Sequence, residues 1–93
     1  MAYVLQHLMV TNYEEFKSVF DFDSSRRLQV GSKGGRLFRS PDNPKEFVVL
    51  FEWKDMDSAR KFTSSSELRE ATALAGVKQI TQYVLEEVEE VKA

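Results

Sequence analysis

The sequence predicts an α+β protein of the ferredoxin-like class, with its elements in the order β-α-β-β-α-β. The run Phe-Val-Val-Leu-Phe-Glu-Trp at residues 47–53 is apolar at almost every position, so that strand needs cover on both faces. Two helical patterns, each with one apolar face, separate the strand candidates. The chain has 93 residues, 42% hydrophobic and 30% charged, which indicates a single globular domain over residues 1–93.

The first strand and the first helical region follow directly from residue type. Residues 2–10 are rich in Val, Leu and Tyr, which favour strands. Asn12 suits a helix N-cap, and Glu15 stands three positions later, as in a capping box. Asp21 or Asp23 can start a second helical turn. The apolar face of the first helix consists of Phe16, Val19 and Phe20.

A β-hairpin is predicted in the middle of the chain. Residues 34–40 form a short strand, and residues 46–54 form the next one. The Pro-Asp-Asn-Pro segment at residues 41–44 connects them, since proline restricts φ and Asp or Asn bonds its own backbone.

The second helical region and the last strand complete the pattern. Asp55 or Asp57 can cap a helix, and Ser64 with Glu67 offers a second capping box after a serine-rich break. The last strand is predicted over residues 79–88. The inward-facing helical positions are Met56, Ala59 and Phe62, followed by Leu68, Ala71, Thr72 and Ala75.

One face of the predicted sheet has no helix to cover it. Side chains alternate along a strand, so the 47–53 strand directs Val48, Leu50 and Glu52 to the face opposite its aromatic residues. A second copy of the chain is the simplest cover, and we expect a homodimer joined through this face.

Composition excludes several classes of function. A net charge of −2 without a basic patch disfavours nucleic acid as a partner. The absence of cysteine and the single histidine disfavour a metal site, and none is predicted. No apolar run is long enough for a membrane span, and the N-terminus lacks a signal-peptide pattern, so a cytoplasmic protein without membrane partners is expected.

The chain resembles the dimeric α+β barrel superfamily, in particular its small antibiotic-biosynthesis-monooxygenase-like proteins. The similar stretches are Tyr3–His7 with Asn12–Phe16, Gly35–Ser40 with its proline turn, Val49–Trp53, Ala59–Phe62, Ser66–Arg69 and Ala75–Val77. The resemblance implies a homodimer with facing sheets and, in each subunit, a pocket between the sheet and its own helices. It also implies chemistry of the kind seen in cofactor-independent oxygenases of aromatic polyketides, cyclases and isomerases, and hence no cofactor.

The heme-degrading branch of that superfamily fits this chain poorly. Its members carry an Asn on the first strand and a Trp and a His on the second helical region. The comparable positions here hold His7, Phe62 and either Thr72 or Ala73. Phe16 also stands where close relatives often carry a Trp.

His7, Tyr83 and Arg26 are the predicted catalytic residues, and each has a structural alternative. The imidazole of His7 suits a general base, or it is a histidine bonded within the sheet or the dimer seam. Tyr83 can donate to a substrate oxygen or lie at the rim. Arg26, like Arg39, can bind a carboxylate or enolate in bidentate fashion, or lie on the surface. Glu52 is expected to pair across the dimer, with Arg39 or His7.

The aromatic residues are the predicted substrate-binding set, with core packing as the alternative. A chain with seven Phe has more aromatic rings than a small core requires, and a cavity between helix and sheet would use some of them. The predicted set is Phe16, Phe20, Phe38, Phe51, Trp53 and Phe62.

Two functions remain open from sequence. The first is a small enzyme, a cofactor-independent monooxygenase or a cyclase or isomerase, that acts on an apolar aromatic or polyketide-like molecule. The second is a ligand-binding or accessory dimer without catalysis. An enclosed pocket that contains His7 or Tyr83 and at least one further polar group favours the first, and a cavity without convergent polar groups favours the second.

Overall fold

The computed structural model describes residues 1–93 and contains four strands and four helices. The strands form one antiparallel sheet in the order β2-β3-β1-β4. The predicted ferredoxin-like α+β class is confirmed, and each predicted helical region is two short helices. The strands are β1 (Ala2–Val10), β2 (Ser32–Arg39), β3 (Glu46–Trp53) and β4 (Val77–Glu86), and the helices are α1 (Tyr13–Phe22), α2 (Ser24–Val30), α3 (Met56–Thr63) and α4 (Ser66–Leu74).

All four helices cover the same face of the sheet. Buried positions alternate along β1 and β3, and their side chains join those of Phe16, Ala59 and Ala75 in one core of 11 residues. The other residues of β3, including Val48 and Leu50, are only half-buried, because their face has no covering layer. The expected division of β3 into two apolar faces is therefore present in the structure. No helix combines the length and the apolar character of a membrane span.

Side-chain caps define where the helices begin. Asn12 Oδ1 accepts from the Glu15 amide at 2.9 Å, as expected for the N-cap of α1. Asp55, one of the two predicted candidates, caps α3 by accepting from the Ser58 amide at 2.7 Å. Asp23 precedes α2 but gives it no side-chain cap, because its carboxylate bonds Arg26 instead.

Three elements begin at other residues than predicted. The N-cap of α4 is Ser65, which accepts from the Leu68 amide, whereas Ser64 still belongs to the end of α3 and donates to the Arg60 carbonyl. β4 begins two residues early, because Gly76 at φ 71° turns the chain directly into the strand. β2 begins at Ser32, and an irregularity between Ser32 and residue 35 lets the pairing start before the predicted strand.

The Asp55 cap gives a pH-dependent prediction. The hydrogen bond from the Ser58 amide lowers the pKa of Asp55 below its usual value, because it favours the charged carboxylate. A carboxylate whose pKa is lower in the folded state contributes its stability above the unfolded pKa, about 3.9, and loses it as the pH falls towards the folded value. Urea unfolding at pH 6 and pH 3 should therefore show a larger acid loss for the natural protein than for Asp55→Asn, which caps without titrating. Equal acid losses in the two proteins would contradict this assignment.

Candidate functional site

A cavity lies between the helices and the covered face of the sheet. Its volume is about 50 Å³, room for only a few water molecules. Five polar residues reach its wall: Gln6, Asp23, Arg26, Arg27 and Thr72. The apolar lining consists of Leu8, Phe16, Val19, Phe20, Phe51, Phe62, Leu68, Ala71, Ala75 and Val77.

The aromatic wall of the cavity is part of a continuous series of rings. Phe16 contacts Phe20 at 5.4 Å between ring centroids, and Phe20 stacks on Phe51 at 5.9 Å. Phe62 then meets Phe51 edge-on at 5.9 Å. Offset-stacked and edge-on pairs at these separations are favourable, so the wall is a pre-formed surface for another flat ring.

Gln6 is a buried acceptor at the bottom of the cavity. The Thr63 carbonyl can only accept, so it holds the Gln82 Nε2 at 3.3 Å and turns the Gln82 oxygen towards Gln6. That oxygen accepts from Gln6 Nε2 at 3.0 Å, which leaves Gln6 Oε1 without a donor in the chain. Among the side-chain nitrogen and oxygen atoms that the protein encloses fully, only Trp53 Nε1 lacks a hydrogen-bond partner. Gln6 Oε1 also lacks a partner, so it is not fully enclosed and must contact open space. Since Gln6 is only 4% exposed and lines the cavity, that space is the cavity.

Arg26 joins two helices across the rim of the cavity. Its guanidinium donates to Asp23 Oδ2 at 3.0 Å and to the Glu67 carbonyl at 3.3 Å. The ion pair neutralises Asp23, and the second bond ties α2 to the first turn of α4. Arg26 therefore has local partners in the chain that account for its position.

Arg27 lies in the cavity without such partners. Its guanidinium carbon is 4.2 Å from the Phe20 ring centroid and 5.2 Å from that of Phe51. It makes no ion pair and no side-chain hydrogen bond within the chain, where the ion pairs are His7–Glu46, Lys17–Asp21 and Arg26–Asp23. Burial lowers the pKa of Arg27 below its usual value, because aromatic surroundings solvate the cation less well than water does.

Two larger depressions adjoin the cavity on the side that Arg27 borders. One, of about 620 Å³, is lined by four cationic residues and by Glu67 as its only acidic residue. The other, of about 590 Å³, has four cationic lining residues and no acidic one. A further depression of about 380 Å³, on the side away from Arg27, is lined by Asp23, Glu67 and Glu70 against Arg26 alone. Positive charge therefore surrounds the Arg27 side of the cavity only, in a chain whose net charge is −2.

The predicted aromatic set is divided by the structure. Phe16, Phe20, Phe51 and Phe62 line the cavity. Trp53 faces the same side but lies behind Phe62, with ring centroids 4.7 Å apart, and is fully buried in the core. Phe38 pairs with Val48 on the uncovered face and is 51% exposed, so it is separated from the cavity by the sheet.

The predicted catalytic residues lie on opposite faces of the sheet. His7 and Tyr83 are on the uncovered face with Leu5, whereas Arg26 is at the cavity. Within the chain, His7 Nε2 is 2.7 Å from Oε2 of Glu46 at the start of β3. The pairing of Glu52 across a dimer stays a prediction. Glu52 has no ion pair within the chain, and Arg39 is outside the cavity.

Gln6 and Arg27 were missed by the sequence-based predictions, although both have a signal in the sequence. Gln6 is the one polar residue at the inward-facing positions of β1, between Val4 and Leu8. Arg27 follows Phe20 by seven residues, or about two helical turns, so a helical pattern puts the two residues on the same face. Neither signal distinguishes a functional residue from a solvated one until the packing is known.

The fold and the cavity define a ferredoxin-like α+β protein with an aromatic pocket between its helices and its sheet. The model of the family "Antibiotic biosynthesis monooxygenase" matches residues 12–74. The chain belongs to this family, as the resemblance of its motifs predicted. No curated protein sequence matches the chain significantly.

Solved structures share the same fold at low sequence identity. SnoaB, described as a cofactor-independent oxygenase from Streptomyces nogalater, is 19% identical over 99% of this chain and 97% of its own, with a TM-score of 0.78. Candidate antibiotic biosynthesis monooxygenases from Bordetella bronchiseptica (17% identity, 95% and 97% coverage, TM-score 0.75) and Caulobacter crescentus CB15 (22%, 95% and 90%, 0.70) are also similar. At such identities the likeness shows the fold alone.

Proposed function

We propose that the chain is a cofactor-independent monooxygenase that oxidises an aromatic or polyketide-like molecule at the cavity between its helices and its sheet, once this cavity opens into the depressions beside it. The observation that carries the proposal is the cavity itself, where four phenylalanine rings surround a buried amide acceptor and two arginines. Membership in the monooxygenase family and the fold shared with an oxygenase support this choice over a cyclase or an isomerase.

The reaction requires little from the protein. Loss of a proton from an activated ring CH₂ gives a carbanion delocalised as an enolate. Transfer of one electron to dioxygen gives a substrate radical and superoxide, which combine to form the new C–O bond, and the returned proton completes a hydroperoxide. Loss of water from the hydroperoxide gives the ketone, so CH₂ and O₂ become C=O and H₂O. The cations on the Arg27 side of the cavity can stabilise the enolate, the aromatic walls exclude water, and Gln6 Oε1 can accept from a substrate hydroxyl.

Anthrone is a suitable probe, because it carries an activated CH₂ between two aromatic rings. We expect the natural protein to accelerate its conversion to anthraquinone, with one O₂ consumed per product, followed by oxygen electrode and mass spectrometry. Ala71→Phe should abolish the acceleration, because a benzyl group at residue 71 fills the cavity. The matched control is Ala73→Phe, the same change at an exposed position of α4, which should retain it. Turnover that persists in Ala71→Phe would place the reaction elsewhere.

A non-catalytic ligand-binding protein is the second candidate, and one observation favours it. The only side chain whose usual pKa lies near neutrality, His7, is on the face opposite the cavity. Binding of anthrone without turnover, lost in Ala71→Phe, would support this alternative. Catalytic roles for His7 and Tyr83 remain proposals that require a second copy to complete a site on the uncovered face.

We also propose that the uncovered face is the seam of a homodimer. Leu5 and Leu50 are opposite each other at the centre of this face, and Tyr83 is the neighbour of Leu5 on β4. The side chains of Phe38, Tyr83 and Leu85 are 40–53% exposed on the same surface. A contiguous apolar sheet face of this kind is typical of a protein-protein interface.

A further inference from the structure

We propose that Arg27 binds the anionic oxygen of the ligand and also forms the movable wall between the cavity and its two neighbouring depressions. On this basis the site takes a planar aromatic molecule with an acidic oxygen on or beside the ring, a phenolate or a carboxylate. The inference rests on the proposed function, because it names the substrate class of that same pocket.

The first support is the position of Arg27 at the junction of three spaces. It is the residue common to the 50 Å³ cavity and to both the 620 Å³ and the 590 Å³ depressions. The cavity alone is too small for an aromatic ligand, since ligand pockets usually measure about 300–1,000 Å³. Movement of one flexible side chain joins the cavity to these larger spaces without any change in the sheet or the helices.

The second support is the contrast between two adjacent arginines. Arg26 has its carboxylate, Asp23, and a backbone carbonyl, whereas Arg27 is half-buried without either. A partly desolvated cation without an acceptor is unfavourable, and a ligand oxygen would remove that cost. The acidic residue closest in the cavity, Asp23, is already paired with Arg26.

The third support is the space over the Phe20 and Phe51 rings, the slot that Arg27 occupies. Its flat guanidinium rests on the Phe20 and Phe51 rings, at 4.2 and 5.2 Å from their centroids. Arginine stacks on aromatic faces much as another flat ring would. A planar ligand can therefore take this place, while the displaced guanidinium pairs with an oxygen at the edge of the ligand in bidentate fashion.

The charge around the site favours such a ligand. Lys54 and Lys61 border the larger depression together with both arginines, against Glu67 alone. A cleft lined by one sign of charge raises the local concentration of ligands of the opposite sign. A neutral aromatic molecule would gain nothing from this arrangement.

The test compares two probes of equal shape, 2-naphthoate and neutral 2-naphthamide, by isothermal titration calorimetry at low salt. The natural protein should bind the anion more tightly than the amide. Arg27→Met keeps an unbranched side chain over the rings but removes its charge, and it should weaken naphthoate binding roughly tenfold to hundredfold, as expected for hydrogen bonds to a charged group, with little change for the amide. Arg27→Lys should restore part of the anion preference, because it keeps the charge without the planar fork.

Matched variants distinguish the direct contact of Arg27 with the anion from the effect of the overall positive charge. They also distinguish anion binding from the blocking of the space by the Arg27 side chain. Lys33→Met makes the same change in net charge at the edge of the depression of about 590 Å³ and should leave the anion preference nearly intact. Arg27→Ala should bind the neutral amide more tightly than the natural protein does, because no side chain has to leave the slot. A weaker amide affinity in that variant would contradict the movable wall.

The outcomes also distinguish this inference from the proposed function. If the natural protein and Arg27→Met bind naphthoate equally well, Arg27 is not the anion-binding residue, although oxidation of anthrone can still hold. An equal loss in Lys33→Met would assign the preference to the overall charge and overturn the inference. If neither naphthalene binds the natural protein, the pocket does not take planar aromatics, and both proposals are wrong.

Discussion

Replacement of Trp53 by alanine should lower the free energy of unfolding by about 3–5 kcal/mol, the usual loss when a large buried aromatic is truncated. Trp53 is 0% exposed at the end of β3. Its register partners are Ala2 on β1 and Ser32 on β2, and its ring packs on Phe62 of α3. The cavity left by alanine would therefore lie where three strands and a helix meet.

The loss should come from packing alone. Trp53 Nε1 has no hydrogen-bond acceptor, so truncation removes no polar interaction. Trp53→Phe should lower the free energy of unfolding much less than Trp53→Ala, because it keeps an aromatic ring and also removes the unsatisfied donor. Phe22→Ala is the matched control, because Phe22 is 85% exposed at the end of α1, and its effect should stay within about 0.5 kcal/mol. Urea unfolding followed by circular dichroism measures all three, and a loss in Trp53→Ala no larger than that of Phe22→Ala would show that Trp53 does not support the core.

Replacement of Leu50 by lysine should convert the proposed homodimer into monomers. Leu50 is at the centre of the uncovered face, opposite Leu5 and Arg36 in the register of the sheet. The substitution places one new cation from each copy in the seam, and an unpaired charge in an apolar interface costs several kcal/mol. We expect the dimer dissociation constant to rise by roughly two orders of magnitude or more, since each 1.4 kcal/mol is tenfold.

Analytical ultracentrifugation at micromolar concentration measures the shift. Leu74→Lys is the matched control, because Leu74 is 71% exposed on α4, among the helices that cover the other face of the sheet. If Leu74→Lys dissociates the dimer while Leu50→Lys does not, the copies meet through their helices. A natural protein that sediments as a monomer would remove the dimer altogether. Either result would contradict the placement of the seam.

The fold could be predicted from sequence because its signals are local and repeated. The near-continuous apolar run Phe47–Trp53, the Asn12 cap and the proline turn at residues 41–44 each act within a few residues, and each appears in the structure as expected. The errors are boundary errors at serine and glycine, where adjacent residues can take the same role. Ser64 and Ser65 differ only in which of them leaves the helical conformation first.

The site was harder to predict because it depends on which face of a strand meets which helix. His7 and Gln6 are adjacent in β1, so an error of one residue moves the candidate to the other side of the sheet. Arg26 and Arg27 present the same difficulty on α2. Arg26 pairs with Asp23, a residue close in sequence, whereas Arg27 meets Phe51, which is distant in the chain. Only tertiary structure distinguishes these neighbours.

The relay from Thr63 through Gln82 to Gln6 has a consequence for selectivity. An amide is symmetrical in outline and can usually turn over to suit either a donor or an acceptor. Here the backbone carbonyl at the end of the relay prevents that exchange, because reversing one amide would set two oxygens or two NH₂ groups against each other. At Gln6 the pocket should therefore prefer a phenol to its methyl ether, because Gln6 Oε1 can accept from the phenol hydroxyl and the ether has no proton to donate.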